Sequence, residues 1–475
     1  MVTFCISLLC LVLGYVVYGA VVERVFGVEP DRQTPCYTKA DGVDYIPMST
    51  WRVFLIQFLN IAGTGPIFGA IMGILFGPAA YLWIVLGCIF AGATHDYMSG
   101  MISLRKGGIS IPEFVGDELG PNIRLLMRVC SMVLMVLVGA VFVSTPASLL
   151  SSMTSGWGVF GTVQFWSVII FLYYILATLL PISTLIGRIY PLFGIAMLIM
   201  AVGIGVGIFT HQGWMPELTD SLSGHHPKGL PVFPMLCITI ACGAISGFHG
   251  TQSPMMARCI KNERIGRRVF YGAMIAEGLV ALIWAAASIK YAGGYEQLAA
   301  MGNPAVVVST LCSSWMGKVG AVLAILGVVA APVTSGDTAL RSARLMAADF
   351  LHFRQDRLWR RMVLSLPVFL VCALLMCINF DVLWRYFAWF NQTLAFMTLW
   401  AVSVWLARKG KFFWVTLLPA MFMTVVCTSY ILVAPEGFML PLHVGIISGL
   451  AFMCVLALLF AVWLVCRRRA EEVRS

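Results

Sequence analysis

The sequence predicts an all-α polytopic membrane protein with about thirteen transmembrane helices. Its 475 residues are 60% hydrophobic and only 11% charged, whereas soluble domains carry about 25% charged residues. Apolar stretches long enough to cross roughly 30 Å of hydrocarbon recur along the whole chain. Basic residues collect in alternate connections between these stretches. Together, the composition, the stretch lengths and the charge alternation indicate a multi-pass bundle with lipid as part of its solvent.

The predicted spans are defined by apolar runs of about 17 to 27 residues. They lie near 2–22, 51–76, 79–100, 122–145, 163–180, 188–210, 230–248, 268–290, 317–335, 361–379, 383–407, 411–433 and 440–466. The first run lacks a basic n-region and a small-residue cleavage site. We therefore expect a retained first span rather than a signal peptide.

The charge distribution gives the predicted orientation. Four of the 31 lysines and arginines fall on one side, and all the others fall on the opposite side. The positive-inside rule then places the N-terminus outside and the C-terminus in the cytoplasm. Because topology accounts for the net charge of +10, we expect the lipid bilayer as a partner and no nucleic acid. The four outer residues are Lys228, Lys290, Lys318 and Arg385.

Motifs of enzymes and motors are missing from the sequence. There is no G-x-x-x-x-G-K-[ST] phosphate loop and no H-E-x-x-H zinc motif, and the 14 cysteines form no C-x-x-C pair. We therefore predict a transporter or channel rather than an enzyme, with no cofactor and no metal site.

Two spans carry glycine and proline clusters that predict interrupted helices. The second span contains Gly63-Thr64-Gly65-Pro66, and the seventh ends in Ser246-Gly247-Phe248-His249-Gly250-Thr251-Gln252-Ser253-Pro254. Proline removes a helix hydrogen bond, and the freed backbone groups must face protein or water rather than lipid. Interrupted helices at matching places of two inverted halves point to a transport site. Alternatively, glycine and proline here only allow close helix packing. The predicted substrate-binding residues are Gly63, Thr64, Gly65, Ser246, Gly247, His249 and Gln252.

The two breaks lie five spans apart, so they cross the membrane in opposite directions. This spacing predicts a leucine-transporter-type 5+5 inverted repeat with one extra N-terminal and two extra C-terminal helices. The predicted regions are an N-terminal span and cytoplasmic loop (1–50), the two repeat halves (51–210 and 211–407), and two C-terminal helices with a basic tail (408–475).

The fold type suggests a sodium site between the first and eighth helices of the repeat. There, Thr334 and Ser335 would face the carbonyls near Ala62 and Gly65, and hard oxygen ligands suit sodium. In the alternative interpretation, Thr334-Ser335-Gly336-Asp337 caps the next, arginine-rich helix.

Ionisable residues inside spans give the alternative of proton coupling, because intramembrane charges are costly and commonly functional. Glu277 is either a proton carrier or a structural hydrogen-bonding group, and His249 either relays protons or holds its loop. Asp337 is a further candidate proton site. His95 and Asp96 suit an inner gate, a proton relay or a structural tie to the Arg105 loop. The coupling ion is either H⁺ or Na⁺ on this reasoning.

Several long motifs carry a family resemblance. They lie at 31–35, 41–45, 63–66, 92–97, 103–110, 246–254, 257–258 and 334–338. Together they resemble the carbon starvation protein A family, and the chain is similar to a short form without the additional helices of long members. The resemblance implies inner-membrane uptake of peptides or pyruvate, linked to carbon starvation. It also implies kinship with the amino acid–polyamine–organocation superfamily.

The sequence therefore predicts a secondary active nutrient importer that works by alternating access and symport with protons or sodium. A passive channel or facilitator would use the same breaks as a pore lining. A nutrient sensor without ion coupling is the remaining alternative.

Overall fold

The computed structural model describes residues 1–41, 44–179, 183–351, 353 and 358–472, and every regular element in these residues is a helix. We number the sixteen helices that build the bundle in chain order. They are α1 (Val2–Phe26), α2 (Thr50–Ile61), α3 (Gly65–Phe76), α4 (Ala79–Arg105), α5 (Ile111–Leu119), α6 (Pro121–Met153), α7 (Val163–Leu179), α8 (Ser183–Thr210), α9 (Val232–Thr239), α10 (Gly247–Ala257), α11 (Glu263–Ala292), α12 (Pro304–Ala348), α13 (Leu358–Leu375), α14 (Phe380–Arg408), α15 (Trp414–Val433) and α16 (Leu442–Glu472).

The helices confirm an all-helical polytopic membrane protein. Among the described residues, nine helices are long and apolar enough to cross a membrane, or ten when α2 and α3 count as one bent span. The three remaining predicted spans coincide with α7, the α9–α10 pair and α13, which fall outside that count. The number of thirteen and the orientation therefore remain predictions.

The first predicted interruption is confirmed. Helix α2 ends at Ile61, α3 begins at Gly65, and the two axes differ by 48°. Pro66 lies in the first turn of α3, where a missing amide removes no helix hydrogen bond. The break therefore falls at the position where proline is best tolerated in a restarting helix.

The second interruption lies earlier than predicted. Residues Gly250 to Pro254 are helical within α10, so the prediction of a break at that segment is wrong. The chain is instead non-helical between Thr239 and Gly247. Side-chain donors satisfy carbonyls near the end of α9, because Gln392 Nε2 donates to Cys237 O at 2.5 Å and Trp83 Nε1 donates to Ile240 O at 2.9 Å. Such donors replace the intrahelical bonds that unwinding removes.

The two interrupted helices pack against each other in opposite directions. The second half of the first, α3, contacts α9, which is the first half of the second; correspondingly, α2 contacts α10. Helices α4, α6, α11 and α14 surround this pair. The two breaks consequently lie side by side in the protein interior.

Helix α12 differs from the sequence prediction. It bends at Gly317, whose backbone has φ 59° and ψ −144°, and then continues through residues 331–348. The π-helical turn Ile325–Ala330 precedes Pro332, and its wider hydrogen-bond pattern lets the helix continue although proline donates no backbone hydrogen bond. The prediction that Thr334 to Asp337 cap a separate helix is therefore wrong.

Candidate transport site

Glycines bring the two breaks into direct contact. A β-carbon on Gly65 would lie 2.5 Å from Cys242 Sγ, and one on Gly63 would lie 2.9 Å from the Phe142 ring. Both distances are shorter than a side chain tolerates. Thr64 is buried between them, and its hydroxyl lies 3.5 Å from the Thr145 hydroxyl. Gly65 thus faces the second break, whereas Gly63 and Thr64 pack against α6, and neither glycine has room for a side chain.

The second break is held by an amide on α14. Asn391 Oδ1 accepts from the Ser246 hydroxyl at 2.9 Å and from the Phe248 backbone amide at 2.6 Å. A β-carbon on Gly247 would lie 2.4 Å from the Asn391 carbonyl. Asn391 therefore fixes the position where α10 begins, and it leaves no room for a side chain at Gly247.

A cluster of buried ionisable groups lies directly beyond these breaks. His249 Nδ1 is 2.8 Å from Asp96 Oδ2, and His249 Nε2 is 3.4 Å from Glu277 Oε2. On the other side, His95 Nδ1 is 2.9 Å from Asp96 Oδ1. All four side chains have no solvent exposure. Helices α4, α10 and α11 therefore meet at one imidazole that bridges two carboxyl groups.

The cluster is sensitive to a single proton. When the His249 imidazole is neutral and Asp96 and Glu277 are both carboxylates, the three side chains carry a net charge of −2. One added proton reduces this charge to −1, and a second added proton makes the cluster neutral. Uncompensated charge in a buried site is costly. In the described part of the chain, neither Glu277 oxygen has a hydrogen-bond donor. Binding or loss of a proton therefore changes the energy of this site strongly.

Cys242 adds a sulfur atom to the same place. One ligand atom from each of Cys242, His249 and Glu277 falls within 4.8 Å of the others. That spacing could accommodate a divalent cation. A cation there would take His249 Nε2 away from Glu277, so the metal-binding and ion-pairing uses of this nitrogen exclude one another.

A row of aromatic side chains flanks the breaks. Phe142 contacts Phe248 and Phe387, with ring centroids 6.5 and 6.4 Å apart, and Phe387 contacts Trp384 at 5.5 Å. Trp384 in turn stacks on Phe68 at 6.2 Å. We call these five residues the aromatic wall. Its members Phe387, Trp384 and Phe68 extend from the breaks towards the end of the bundle that the charge pattern assigns to the outside.

A buried ion pair lies at the opposite end of the bundle. Arg105 donates to both carboxylate oxygens of Glu263, at 3.0 and 2.8 Å, and to the Gly27 carbonyl at 2.5 Å. The Glu29 amide also donates to Glu263 at 2.8 Å. Arg105 thus contacts Glu263, whereas the partners of Asp96 are His95 and His249. The connection after α1 is thereby fastened across the ends of α4 and α11.

The remaining predicted residues lie apart from the cluster. Asp337 pairs with Arg341 on α12 at 3.2 Å, and no described contact joins it to His249. Ser335 is buried on the same helix, but the side chain of Thr334 lies outside the described residues. Ala62 is buried at the first break, and Gln252 donates to Thr251 at 3.0 Å. The structure therefore brings together His95, Asp96, His249 and Glu277, but not Asp337.

A protein-family comparison matches this architecture. The model of the carbon starvation protein CstA family matches residues 1–165, 158–300 and 285–430. This chain belongs to the CstA family. It is therefore a membrane transporter by family, and no enzymatic family is indicated.

Relatives within the CstA family include proteins with named substrates. An uncharacterized membrane protein of Haemophilus influenzae is 42% identical over 65% of this chain and 94% of its own length. The pyruvate/proton symporter BtsT of Escherichia coli is 28% identical over 58% of this chain, and the peptide transporter CstA of the same organism is 28% identical over 57%. The match spans only 47% of each of these two transporters.

The fold is also found in a solved transporter. The crystal structure of the Eremococcus coleocola manganese transporter resembles this chain with a TM-score of 0.50 and 11% identity, covering 89% of this chain and 94% of the other. At this identity the likeness concerns the fold alone. The manganese transporter has a leucine-transporter-type fold, and the fold of this chain is similar to it.

Sequence reasoning overlooked three residues of the site. Asn391, Phe142 and Cys242 are buried against the breaks. Only Asn391 carried a signal, because Asn391-Gln392 places two amides inside an apolar span. Phe142 and Cys242 have the composition of any core position, and only the packing reveals their role.

Proposed function

We propose that this CstA-family chain is a secondary active importer for a small carboxylate-bearing nutrient, pyruvate or a peptide, coupled to protons by alternating access. The observation that carries the proposal is the bridge from Asp96 through His249 to Glu277 beside the two breaks. Family membership and the proton-coupled pyruvate relative support it.

The substrate would bind between the breaks. Helix α10 begins at Gly247 and helix α3 begins at Gly65, so the N-termini of two helices lie at the breaks. Helix N-termini carry partial positive charge and favour an anionic group. We propose that the substrate carboxylate occupies the space around Gly63–Gly65 and Ser246–His249, with Gln252 one turn further along α10.

The proton would bind within the cluster. His249 belongs to α10, which carries the proposed substrate site, whereas Asp96 and Glu277 belong to α4 and α11. Protonation at Glu277 neutralises the three-residue cluster and lowers the cost of holding these helices together. Because His249 is two residues from the start of α10, the same helix turn senses both substrate and proton.

The experiment is uptake into proteoliposomes that contain only this protein. We expect labelled pyruvate, dialanine or both to accumulate above equilibrium when an inward proton gradient is imposed. A protonophore should abolish the accumulation. The same measurement with a sodium gradient tests the alternative ion site at Ser335 and Thr334.

The outcomes separate the candidate mechanisms. Accumulation driven by sodium alone would replace the proton cluster as the coupling site. Equilibration without accumulation under either gradient would identify a passive facilitator and contradict the proposal.

A further inference from the structure

A cavity lies beyond the aromatic wall. It has a volume of about 350 Å³ and is open to the end of the bundle that the charge pattern assigns to the outside. Trp384 belongs to both the aromatic wall and the lining of this cavity. We call the cavity the outer vestibule. A solute approaching the breaks from that end would meet it first.

The outer vestibule contains unusual positive charge for its side of the protein. Lys228 and Arg385 both line it, and they are two of the only four basic residues that the sequence assigns to this side. Lys228 lies 3.7 Å from Asp381, a carboxylate that also lines the cavity, and 73% of the Lys228 side chain is exposed. Arg385 Nε lies 2.8 Å from Glu436, which is not a lining residue. Half of the outer basic residues therefore converge on one cavity.

Helix ends add to this positive potential. Asn303 and Asn379 line the outer vestibule, and they cap the N-termini of α12 and α14. Each asparagine side chain accepts from the amide two residues later, so the caps are ordered. The N-terminal ends of two long helices consequently point towards the cavity, and both favour an anion.

His226 lines the same cavity. Its ring lies 4.5 Å from the Phe76 ring at the side of the vestibule. Burial, and then the nearby charges of Lys228 and Arg385, lower the pKa of His226 to about 4. At neutral pH this histidine is uncharged and competes with neither basic residue for an anion.

We infer that the outer vestibule is a capture site for the carboxylate of the incoming solute, with Arg385 and Lys228 as its binding residues. The inference rests on the proposed function for the solute class. The Arg385 guanidinium has a planar set of donors suited to a carboxylate, and the exposed Lys228 can turn from Asp381 towards the cavity. The carboxylate is held here until the aromatic wall opens towards the breaks.

The first test is the concentration dependence of uptake into proteoliposomes. For Arg385→Gln and Lys228→Gln we expect KM for pyruvate and for dialanine to rise at least fivefold at low ionic strength, with the maximal rate within twofold. Lys318→Gln, an exposed basic residue on the same side but outside the vestibule, is the matched control and should change neither. Dialanine amide, which lacks the carboxylate, should inhibit wild type and variants equally.

Removing Arg385 leaves the buried Glu436 with only the Tyr430 hydroxyl and no charged partner among the described residues, so the double variant Arg385→Gln/Glu436→Gln is measured as well. It should show the same rise in KM with normal folding. An unchanged KM in the double variant would overturn the role of Arg385. A rise for one substrate alone would show which of the two carboxylates is captured.

The second test does not depend on transport. A cysteine at Ala299, which lines the vestibule, is compared with one at the exposed Ser155. The background has the exposed Cys5, Cys377, Cys454 and Cys466 replaced by serine. We expect a negatively charged thiosulfonate to modify Ala299→Cys at least fivefold faster, relative to a positively charged one, than Ser155→Cys. Arg385→Gln should remove this preference, and pyruvate or dialanine should slow the reaction at Ala299→Cys.

The two tests fail separately. Absence of uptake with an intact charge preference and protection by carboxylates would contradict the proposed transport function and leave the capture site standing. Equal modification by both reagents would overturn the capture site, whatever the uptake shows.

Discussion

His249 lies 2.8 Å from Asp96, although 153 residues separate the two in the chain. His249 belongs to α10 and Asp96 to α4, which the sequence assigns to opposite halves of the predicted inverted repeat. In the proposed alternating access, the halves or their bundles move relative to each other. We therefore expect this contact either to break in each cycle or to carry both helices together, with the protonation state of the cluster deciding which arrangement is stable.

Replacing the bridging imidazole should uncouple transport. For His249→Gln we expect gradient-driven accumulation to fall at least tenfold, because Asp96 and Glu277 lose the group that joins them. The measurement is uptake into proteoliposomes under a proton gradient. His443→Gln, at an exposed position, is the control and should accumulate substrate as the wild type does. Wild-type accumulation by the His249 variant would return this residue to a structural role.

Removing the titrating carboxyl should remove the pH dependence. Wild-type uptake should rise as the pH on the entry side falls, because the cluster needs a second proton to become neutral. Glu277→Gln mimics the protonated side chain, so exchange of labelled for unlabelled substrate should persist. The exchange rate should become independent of pH between about 5.5 and 8, roughly the range in which side chains titrate near physiological pH. The exposed Glu296→Gln is the control. Exchange by the Glu277 variant that still follows pH would place the coupling proton elsewhere.

The sequence predicted structural features that depend on local chemistry, but it did not predict those that depend on packing between distant helices. Gly65 and Pro66 located the first break because the restriction of proline acts on its own helix turn. Pro254 gave the wrong position for the second break, because the unwound segment before Gly247 depends on hydrogen-bond donors from other helices, such as Gln392 and Trp83. The meeting of Asp96 with Glu277 at His249 required the tertiary arrangement, which no spacing in the chain encodes.

Close packing between the breaks should make Gly65 intolerant of a side chain. A β-carbon there would lie 2.5 Å from both Cβ and Sγ of Cys242. For Gly65→Ala we expect a destabilisation of about 1–3 kcal/mol and a loss of most transport, measured by the thermal midpoint and by uptake. Gly156→Ala, with no atom within 4 Å of the added carbon, is the control.

A second substitution should relieve the clash. Cys242→Gly removes both contacting atoms, so the double variant Gly65→Ala/Cys242→Gly should recover part of the thermal stability. If the double variant is no more stable than Gly65→Ala, the breaks do not approach each other at these residues.

The Arg105–Glu263 ion pair should hold closed the end of the bundle that the charge pattern assigns to the cytoplasm. Glu263 is fully buried, and Arg105 is 11% exposed. Removing one partner of such a pair leaves an uncompensated charge, which costs about 3–5 kcal/mol in buried sites. Glu263→Gln should therefore lower the thermal midpoint much more than Glu113→Gln. Glu113 pairs with Arg128 at the surface, where a pair contributes less than about 1 kcal/mol.

The same variant should also open a path to Cys259. This thiol is only 4% exposed, and its backbone carbonyl accepts from the Met48 amide of the connection that Glu263 helps to fasten. We expect Glu263→Gln to increase the rate at which a membrane-impermeant maleimide labels Cys259 at least fivefold. Cys259→Ser in the same background identifies the labelled residue. A Glu263→Gln variant that loses stability but labels Cys259 at the wild-type rate would show that the ion pair stabilises the fold without closing the inner end.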